Sequence, residues 1–80
     1  MDVNELLKSK KTVGSRETLR AAENAQCKAV FFAKDANPEV LRPLKEACER
    51  NGIEMIAVDS MAFLGECCGI KVPAASAGIV

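Results

Sequence analysis

The residues best suited to chemistry in this sequence lie between Gly14 and Arg20, in the stretch Gly-Ser-Arg-Glu-Thr-Leu-Arg. The pattern is typical of the start of a helix, where backbone N–H groups lack helical partners and the helix dipole is positive. Five basic residues against one acidic residue give positions 8–20 a local charge of +4, in a chain whose net charge is zero. The sequence therefore predicts an anion-binding site at this helix start.

Arg16 and Arg20 are four residues apart, so they share one face of the predicted helix. Like charges at this spacing repel weakly, which is tolerable when an external anion lies between them. An arginine fork also fits the O6/N7 edge of guanine, so nucleic acid is one anion that this face could bind. The alternative is an ordinary solvated face on which Glu17 and Glu23, each three residues from Arg20, neutralise it.

The segment Ile70-Lys71-Val72-Pro73 is predicted to be a loop with two apolar side chains on either side of one lysine. Exposed apolar side chains in a loop can pack on an unstacked base. The alternative is that Ile70 contacts the core at the end of the preceding helix, a contact that often follows a helix-ending glycine. The residues alone leave both interpretations open.

The turn that contains Asn37 follows an apolar strand, and α/β proteins often place ligands at the ends of such strands. The alternative is a plain helix cap, because Asn followed by Pro is a typical helix start. The carboxylates Asp35, Glu39 and Asp59 are scattered, and no glycine pattern of a phosphate loop or dinucleotide site occurs.

Catalysis and metal binding are poorly supported by the composition. The chain has no histidine and only three aromatic residues, and its four cysteines lack the Cys-x-x-Cys spacing of zinc sites. We therefore expect no enzymatic activity, no metal and no cofactor, with the cysteines as reduced, buried thiols. A redox role for Cys67 and Cys68 is the alternative, although no activating motif accompanies them.

The length and composition of the chain predict one small folded domain, residues 1–80. The 80 residues are 49% hydrophobic and 28% charged, which is typical of a globular chain. Neither a membrane-length apolar run nor a secretory leader is evident, so we expect a cytoplasmic protein with no membrane partner. We also expect a monomer when the protein is free.

Hydrophobic periodicity predicts four helices and four strands in alternation. The helices are expected at 2–9, 15–24, 37–50 and 59–68, and the strands at 12–13, 29–33, 53–58 and 74–80. The third helix should bury Val40 among its apolar residues and carry the solvent-side charge pairs Arg42/Glu46, Lys45/Glu49 and Glu46/Arg50. Apolar strands covered on both faces predict an α/β fold, a three-layer α/β/α sandwich around a small mixed four-stranded sheet.

Three motifs in this order resemble one family, the kink-turn-binding ribosomal proteins (the L-seven-Ae family, with relatives in guide ribonucleoproteins and short bacterial homologues). The family pattern Gly-x-Asn/Lys-Glu/Gln-x-x-Lys is similar to residues 14–20, and its apolar strand ending in Ala-x-Asp-x-x-Pro is similar to residues 30–38. Its late signature, Leu-Gly-x-Ala-Cys-Gly-Ile/Val, is similar to residues 64–70. The likeness extends from about Leu6 to Val80 and is greatest to the short bacterial members.

The resemblance implies a role for eight residues in recognising a kink-turn, a sharply bent RNA duplex with tandem sheared G·A pairs next to a bulge. Contacts to the G·A pairs are implied for Arg16, Glu17 and Arg20, with Gly14 allowing close approach of the backbone. The position of Asn37 lies beside the flipped-out bulge nucleotide in the family. The loop residues Ile70, Lys71 and Val72 are implied to pack over the bulge.

The function that the resemblance implies is recognition and stabilisation of kink-turn RNA, with ribosome association left open. The main alternative is a protein-interaction module of the same fold, whose basic helix start meets an acidic protein surface. Met61 stands where many family members carry a lysine, and the lack of that phosphate contact implies weaker RNA binding.

Overall fold

The computed structural model describes residues 2–80. A short 3-10 helix, Val3–Leu7, precedes seven regular elements. In chain order they are β1 (Lys11–Val13), α1 (Ser15–Glu23), β2 (Ala29–Ala33), α2 (Pro38–Asn51), β3 (Glu54–Val58), α3 (Met61–Cys67) and β4 (Ser76–Ile79). Within residues 2–80, none of the helices has the length and apolar character needed to span a bilayer.

The four strands form one mixed sheet in the order β1-β4-β2-β3. Strand β4 is antiparallel to both β1 and β2, and β3 is parallel to β2. The strands β1, β2 and β3 therefore run in the same direction, and each is followed directly by a helix. As a result, α1, α2 and α3 all begin at one edge of the sheet, where β4 also starts. We call this the helix-start edge, marked by Gly14, Asn37, Ser60 and Ser76.

The predicted three-layer arrangement is confirmed. Helices α1 and α2 pack against each other on one face of the sheet, and α3 packs against the 3-10 helix on the other. The central strand β2 is covered on both sides, with Ala29, Val30, Phe31 and Ala33 buried. The largest fully buried side chains are those of Phe31, Leu6, Leu44 and Leu64.

Strand β3 departs from the prediction that it is covered on both faces. It lies at the open edge of the sheet next to β2, and only Val58 of its five residues is buried. Its apolar sequence looked like that of a central strand. Strand order is fixed by long-range pairing, which local hydrophobicity does not report.

Side-chain caps precede three of the helical segments, including the one that the Asn37-Pro38 pair indicated. The side-chain oxygen of Asn37 accepts a hydrogen bond from the backbone N–H of Glu39 at 2.9 Å, with Pro38 as the first helical residue. The hydroxyl of Ser60 accepts one from Phe63 at 3.0 Å, and Asp2 caps the 3-10 helix. Each cap satisfies a backbone N–H that has no partner within its helix.

Helix α2 differs from the prediction in its surface contacts. None of the three predicted charge pairs forms among residues 2–80, and Arg42 instead pairs with Glu39 at 2.7 Å, one turn towards the helix start. Val40 is 40% exposed rather than buried. It is offset by about 100° around the helix from the buried Leu41, so it falls at the margin of the apolar face.

Helix α1 ends sooner than predicted, at Glu23, and two features fix that end. The side-chain amide of Asn51 donates a hydrogen bond to the carbonyl oxygen of Ala22 at 2.8 Å. Ala25 then takes a left-handed conformation with φ 55°, which a continuing helix would not allow. The buried polar residue of α1 is Thr18, whose hydroxyl lies 3.0 Å from that of Thr12 on β1.

Replacing Ala25 with Gly should stabilise the protein by about 0.5–1 kcal/mol. A left-handed φ is costly for a residue with a Cβ atom, and glycine avoids that cost at a smaller loss of unfolded-chain entropy. Urea unfolding followed by circular dichroism measures the change. As a matched control, Ala36→Gly at a buried position without positive φ should destabilise the protein. A loss of stability in Ala25→Gly would contradict the prediction.

Candidate nucleic-acid interface

The residue that precedes α1 is Gly14, which has no side chain to cap the helix. Gly14 has φ 95° and ψ 156°, a conformation in which a residue with a side chain would be strained. Its N–H donates to the carbonyl oxygen of Ser76 at 2.9 Å, which ties the helix start to β4. Unlike α2, α3 and the 3-10 helix, α1 has no side-chain cap. Among residues 2–80, the backbone N–H groups of positions 15–17 therefore have no acceptor.

Arg16, Glu17 and Arg20 are exposed on α1, close to this uncapped start. Within residues 2–80 the only ion pairs are Arg42 with Glu39 and Lys34 with Asp59. The structure therefore does not show the internal neutralisation of Arg20 that was the alternative for this face. Both arginines remain available to an external anion.

Glu17 and Arg20 line a shallow depression of about 200 Å³ between α1 and β1. The other lining residues are Thr12, Ala21 and Gln26. A carboxylate and a guanidinium side by side can accept from and donate to the edge of the same base. Arg16 is outside this lining, one turn nearer the helix start.

The loop 70–73 borders a second shallow cavity, of about 410 Å³, against α3. Val72 is 62% exposed and Lys71 is also exposed, as an interaction with a partner requires. Ile70 is half-buried and packs against the core, so the structure supports the alternative of a core contact for that residue. The other three loop residues, Lys71, Val72 and Pro73, are exposed.

The helix-start edge brings these groups to one side of the molecule. The loop 70–73 leads into β4, whose first residue, Ser76, accepts the hydrogen bond from Gly14. On the other side of β4, the N–H of Ala33 at the end of β2 donates to the carbonyl oxygen of Ala75 at 2.9 Å. The α1 start, the Asn37 turn and the loop therefore occupy adjacent positions along one edge.

Asn37 lies at this edge between the α1 start and α3. It is exposed and acts as the helix cap, which is the alternative considered for this turn. The cap uses its side-chain oxygen, and its amide nitrogen has no acceptor among residues 2–80. In the same turn, the carboxylate of Asp35 accepts from the N–H of Met61 at 2.8 Å and so joins the turn to α3.

The four cysteines are free thiols, three of them buried and Cys67 half-buried. Burial raises the pKa of all four, to about 11 for Cys48, where the nearby Cys27 adds to the effect. At neutral pH these groups are protonated and weak as nucleophiles or ligands. In residues 2–80, no three His, Cys, Asp or Glu side chains approach closely enough to hold a metal ion.

Three residues of this surface were missed by reading the sequence. Thr12 and Gln26 join the depression beside Glu17 only because β1 and the turn after α1 fold back against the helix, and no local signal marks them. Gly65 lies under the loop 70–73. A glycine inside a predicted helix is an available signal for such a close approach.

Comparisons with known proteins identify relatives of the whole chain. RNA-binding proteins of Caldanaerobacter subterraneus and Geobacillus are 45% and 35% identical to the chain, over 89% and 100% of its length and 87% and 99% of theirs. The solved Giardia lamblia 15.5 kD RNA-binding protein superposes with a TM-score of 0.86 at 29% identity, over 96% of this chain and 68% of that one. A family model matches residues 2–80. The chain belongs to the ribosomal protein L7Ae/L30e/S12e/Gadd45 family.

Proposed function

We propose that the protein binds RNA and recognises kink-turns, stabilising the bent form without catalysing a reaction. The observation that carries the proposal is the meeting of two different surfaces at the helix-start edge. One is the uncapped α1 start with its exposed Arg16, Glu17 and Arg20, and the other is the exposed loop with Lys71 and Val72. The names of its relatives, which are RNA-binding proteins, support the RNA-binding part of the proposal.

The chemistry of the edge suits a kinked duplex better than a regular one. The major groove of A-form RNA is too narrow for side chains to read, whereas sheared pairs at a kink open the guanine edges. Arg16 and Arg20 can then donate to guanine acceptors, while Glu17 accepts from guanine N–H groups. Val72 gives an apolar surface to a base that the bulge has left unstacked.

Binding of this kind stabilises one RNA conformation. A protein that contacts groups brought together only in the bent form binds that form more tightly, so the RNA population shifts towards it. Lys71 can contribute a phosphate contact that is independent of sequence. The G·A pairs and the bulge would supply the specificity.

The deciding experiment compares one kink-turn RNA with a copy whose G·A pairs are replaced by Watson–Crick pairs. We expect the protein to bind the kink-turn at least about tenfold more tightly, since each guanine contact contributes about 1–3 kcal/mol. With about four to six phosphate contacts, log affinity should fall against log salt with a slope of about −3 to −5. Equal affinities would contradict kink-turn recognition, and a flat salt response would favour an acidic protein partner.

Ribosomal RNA is one source of structured RNA. Association of the protein with ribosomes is tested separately from kink-turn recognition. Sedimentation of a cell lysate at low and high salt shows whether the protein travels with ribosomal particles. We assign the function to the cytoplasm, and the four free thiols are consistent with a reducing compartment. Absence from ribosomal fractions would direct attention to other kinked RNAs without changing the recognition proposal.

A further inference from the structure

Gly65 lies in the middle of α3, where the loop 70–73 passes over the helix. A Cβ atom placed on it would overlap the carbonyl oxygen of Val72 and lie 3.1 Å from the carbonyl carbon of Val72 and 3.3 Å from the Cα of Pro73. All three are backbone atoms, so no side-chain rotation could relieve the contact. The helix backbone and the loop backbone are therefore in direct contact at this point.

Neither helix formation nor backbone conformation explains the glycine. Helix interiors favour alanine over glycine, and Gly65 is not among the glycines with positive φ. The remaining explanation is the space that the loop occupies. By lacking a side chain, Gly65 sets how close the loop lies to α3.

The loop is also attached to α3 by hydrogen bonds on either side of this contact. The N–H of Ile70 donates to the carbonyl oxygen of Gly65 at 3.1 Å, and the N–H of Ala74 donates to that of Met61 at 3.0 Å. Between these two attachments lie Lys71 and Val72, which are exposed. The position of α3 therefore determines where the loop presents both side chains.

We propose that Gly65 is a positioning residue for RNA binding, which acts by fixing the distance between the loop 70–73 and α3. At that distance, Val72 can contact the same RNA that occupies the α1 start. The inference rests on the proposed function and adds to it a residue that touches no RNA. It also separates the two surfaces of the interface, because a change at Gly65 moves the loop while leaving α1 in place.

The test is a double-mutant cycle on the affinity for a kink-turn RNA, using Gly65→Ala and Val72→Ala. Each single change should weaken binding about tenfold, since both remove the same apolar contact with the bulge. In the Gly65→Ala protein, Val72→Ala should then cost less than about twofold. Arg16→Ala should keep its full effect in that protein, because the α1 start is unchanged.

Gly52→Ala is the matched control. Gly52 ends α2 with φ 64°, and no atom lies within 4 Å of the position of an added Cβ. The change should lower stability through backbone strain without touching the loop. At temperatures well below both unfolding transitions, Gly52→Ala should bind the kink-turn as the unchanged protein does, within about twofold.

A second variant keeps the test decisive if Gly65→Ala does not fold. Pro73→Gly frees the loop backbone on the other side of the contact, at an exposed position, and leaves α3 intact. In the Pro73→Gly protein, Val72→Ala should likewise lower the affinity for the kink-turn by less than about twofold. Hydrogen exchange should report faster exchange at the Ala74 amide in either variant, with the Gly14 amide protected as before.

The outcomes distinguish this inference from the proposed function. Additive effects of Gly65→Ala and Val72→Ala, or an equal affinity loss in Gly52→Ala, would overturn the positioning role while leaving kink-turn recognition standing. Failure of the unchanged protein to prefer the kink-turn would overturn both. Unaltered Ala74 exchange in Gly65→Ala would show that the loop does not move, and this also overturns the inference.

Discussion

Replacing Arg16 and Arg20 together with alanine should weaken kink-turn binding about a hundredfold or more. Each arginine that donates to a guanine edge contributes about 1–3 kcal/mol, and 1.4 kcal/mol corresponds to a factor of ten. Both side chains are exposed and neither forms an ion pair within residues 2–80, so folding should be unaffected. Fluorescence anisotropy with labelled RNA measures the loss, and circular dichroism confirms the fold.

The matched control is the pair Lys28→Ala and Arg50→Ala, which removes the same charge from exposed positions at the opposite edge of the sheet, before β2 and in the last turn of α2. That double variant should lose much less affinity. The preference for the kink-turn over its Watson–Crick copy should also fall in the Arg16 and Arg20 variant, since contacts to guanine edges carry the specificity. Equal losses in the two double variants would show that only the total charge matters, which would contradict a localised interface.

Phe31→Ala should have the largest effect on stability, about 3–5 kcal/mol. Phe31 is fully buried in the central strand, and removing so large a side chain leaves a cavity as well as losing buried apolar surface. A domain of this size has a total stability of about 4–12 kcal/mol, so a substantial fraction could unfold at 25 °C. The sequence contains no tryptophan or tyrosine, and urea unfolding should therefore be followed by far-ultraviolet circular dichroism.

Phe63→Ala provides the comparison, because it makes the same chemical change at a residue that is 42% exposed. We expect it to cost about 1 kcal/mol or less, since most surface substitutions have small effects. Similar losses in the two variants would mean that the core is not centred on β2. A stable Phe31→Ala protein would have the same implication.

The parts of this fold that the sequence predicted are those whose signals are local. Asn37 caps its helix as the Asn-Pro pair indicates, because a cap needs only a side-chain oxygen two or three residues before its donor. The run that became β2 was recognisable because a strand covered on both faces is apolar throughout. Strand β3 has a similar composition, yet it lies at the sheet edge, since pairing partners come from distant parts of the chain.

In the candidate interface too, local features were predictable from the sequence and long-range placement was not. The exposure of Arg16, Glu17 and Arg20 follows from helix periodicity and was predictable. The position of the loop beside the α1 start could be expected only from the family resemblance and not from the residues themselves, because it depends on the antiparallel pairing of β1 with β4. Ile70 shows the limit most clearly: it is next to two exposed residues in the sequence, but its side chain turns to the core.

The common direction of β1, β2 and β3 has an electrostatic consequence. Three helices that all begin at one edge point their dipoles the same way, so an electrically neutral chain acquires a positive and a negative pole. Near a polyanion such a molecule experiences a torque before it experiences a net pull. The first collisions would then already be oriented, and a protein without net charge could still associate faster as ionic strength falls.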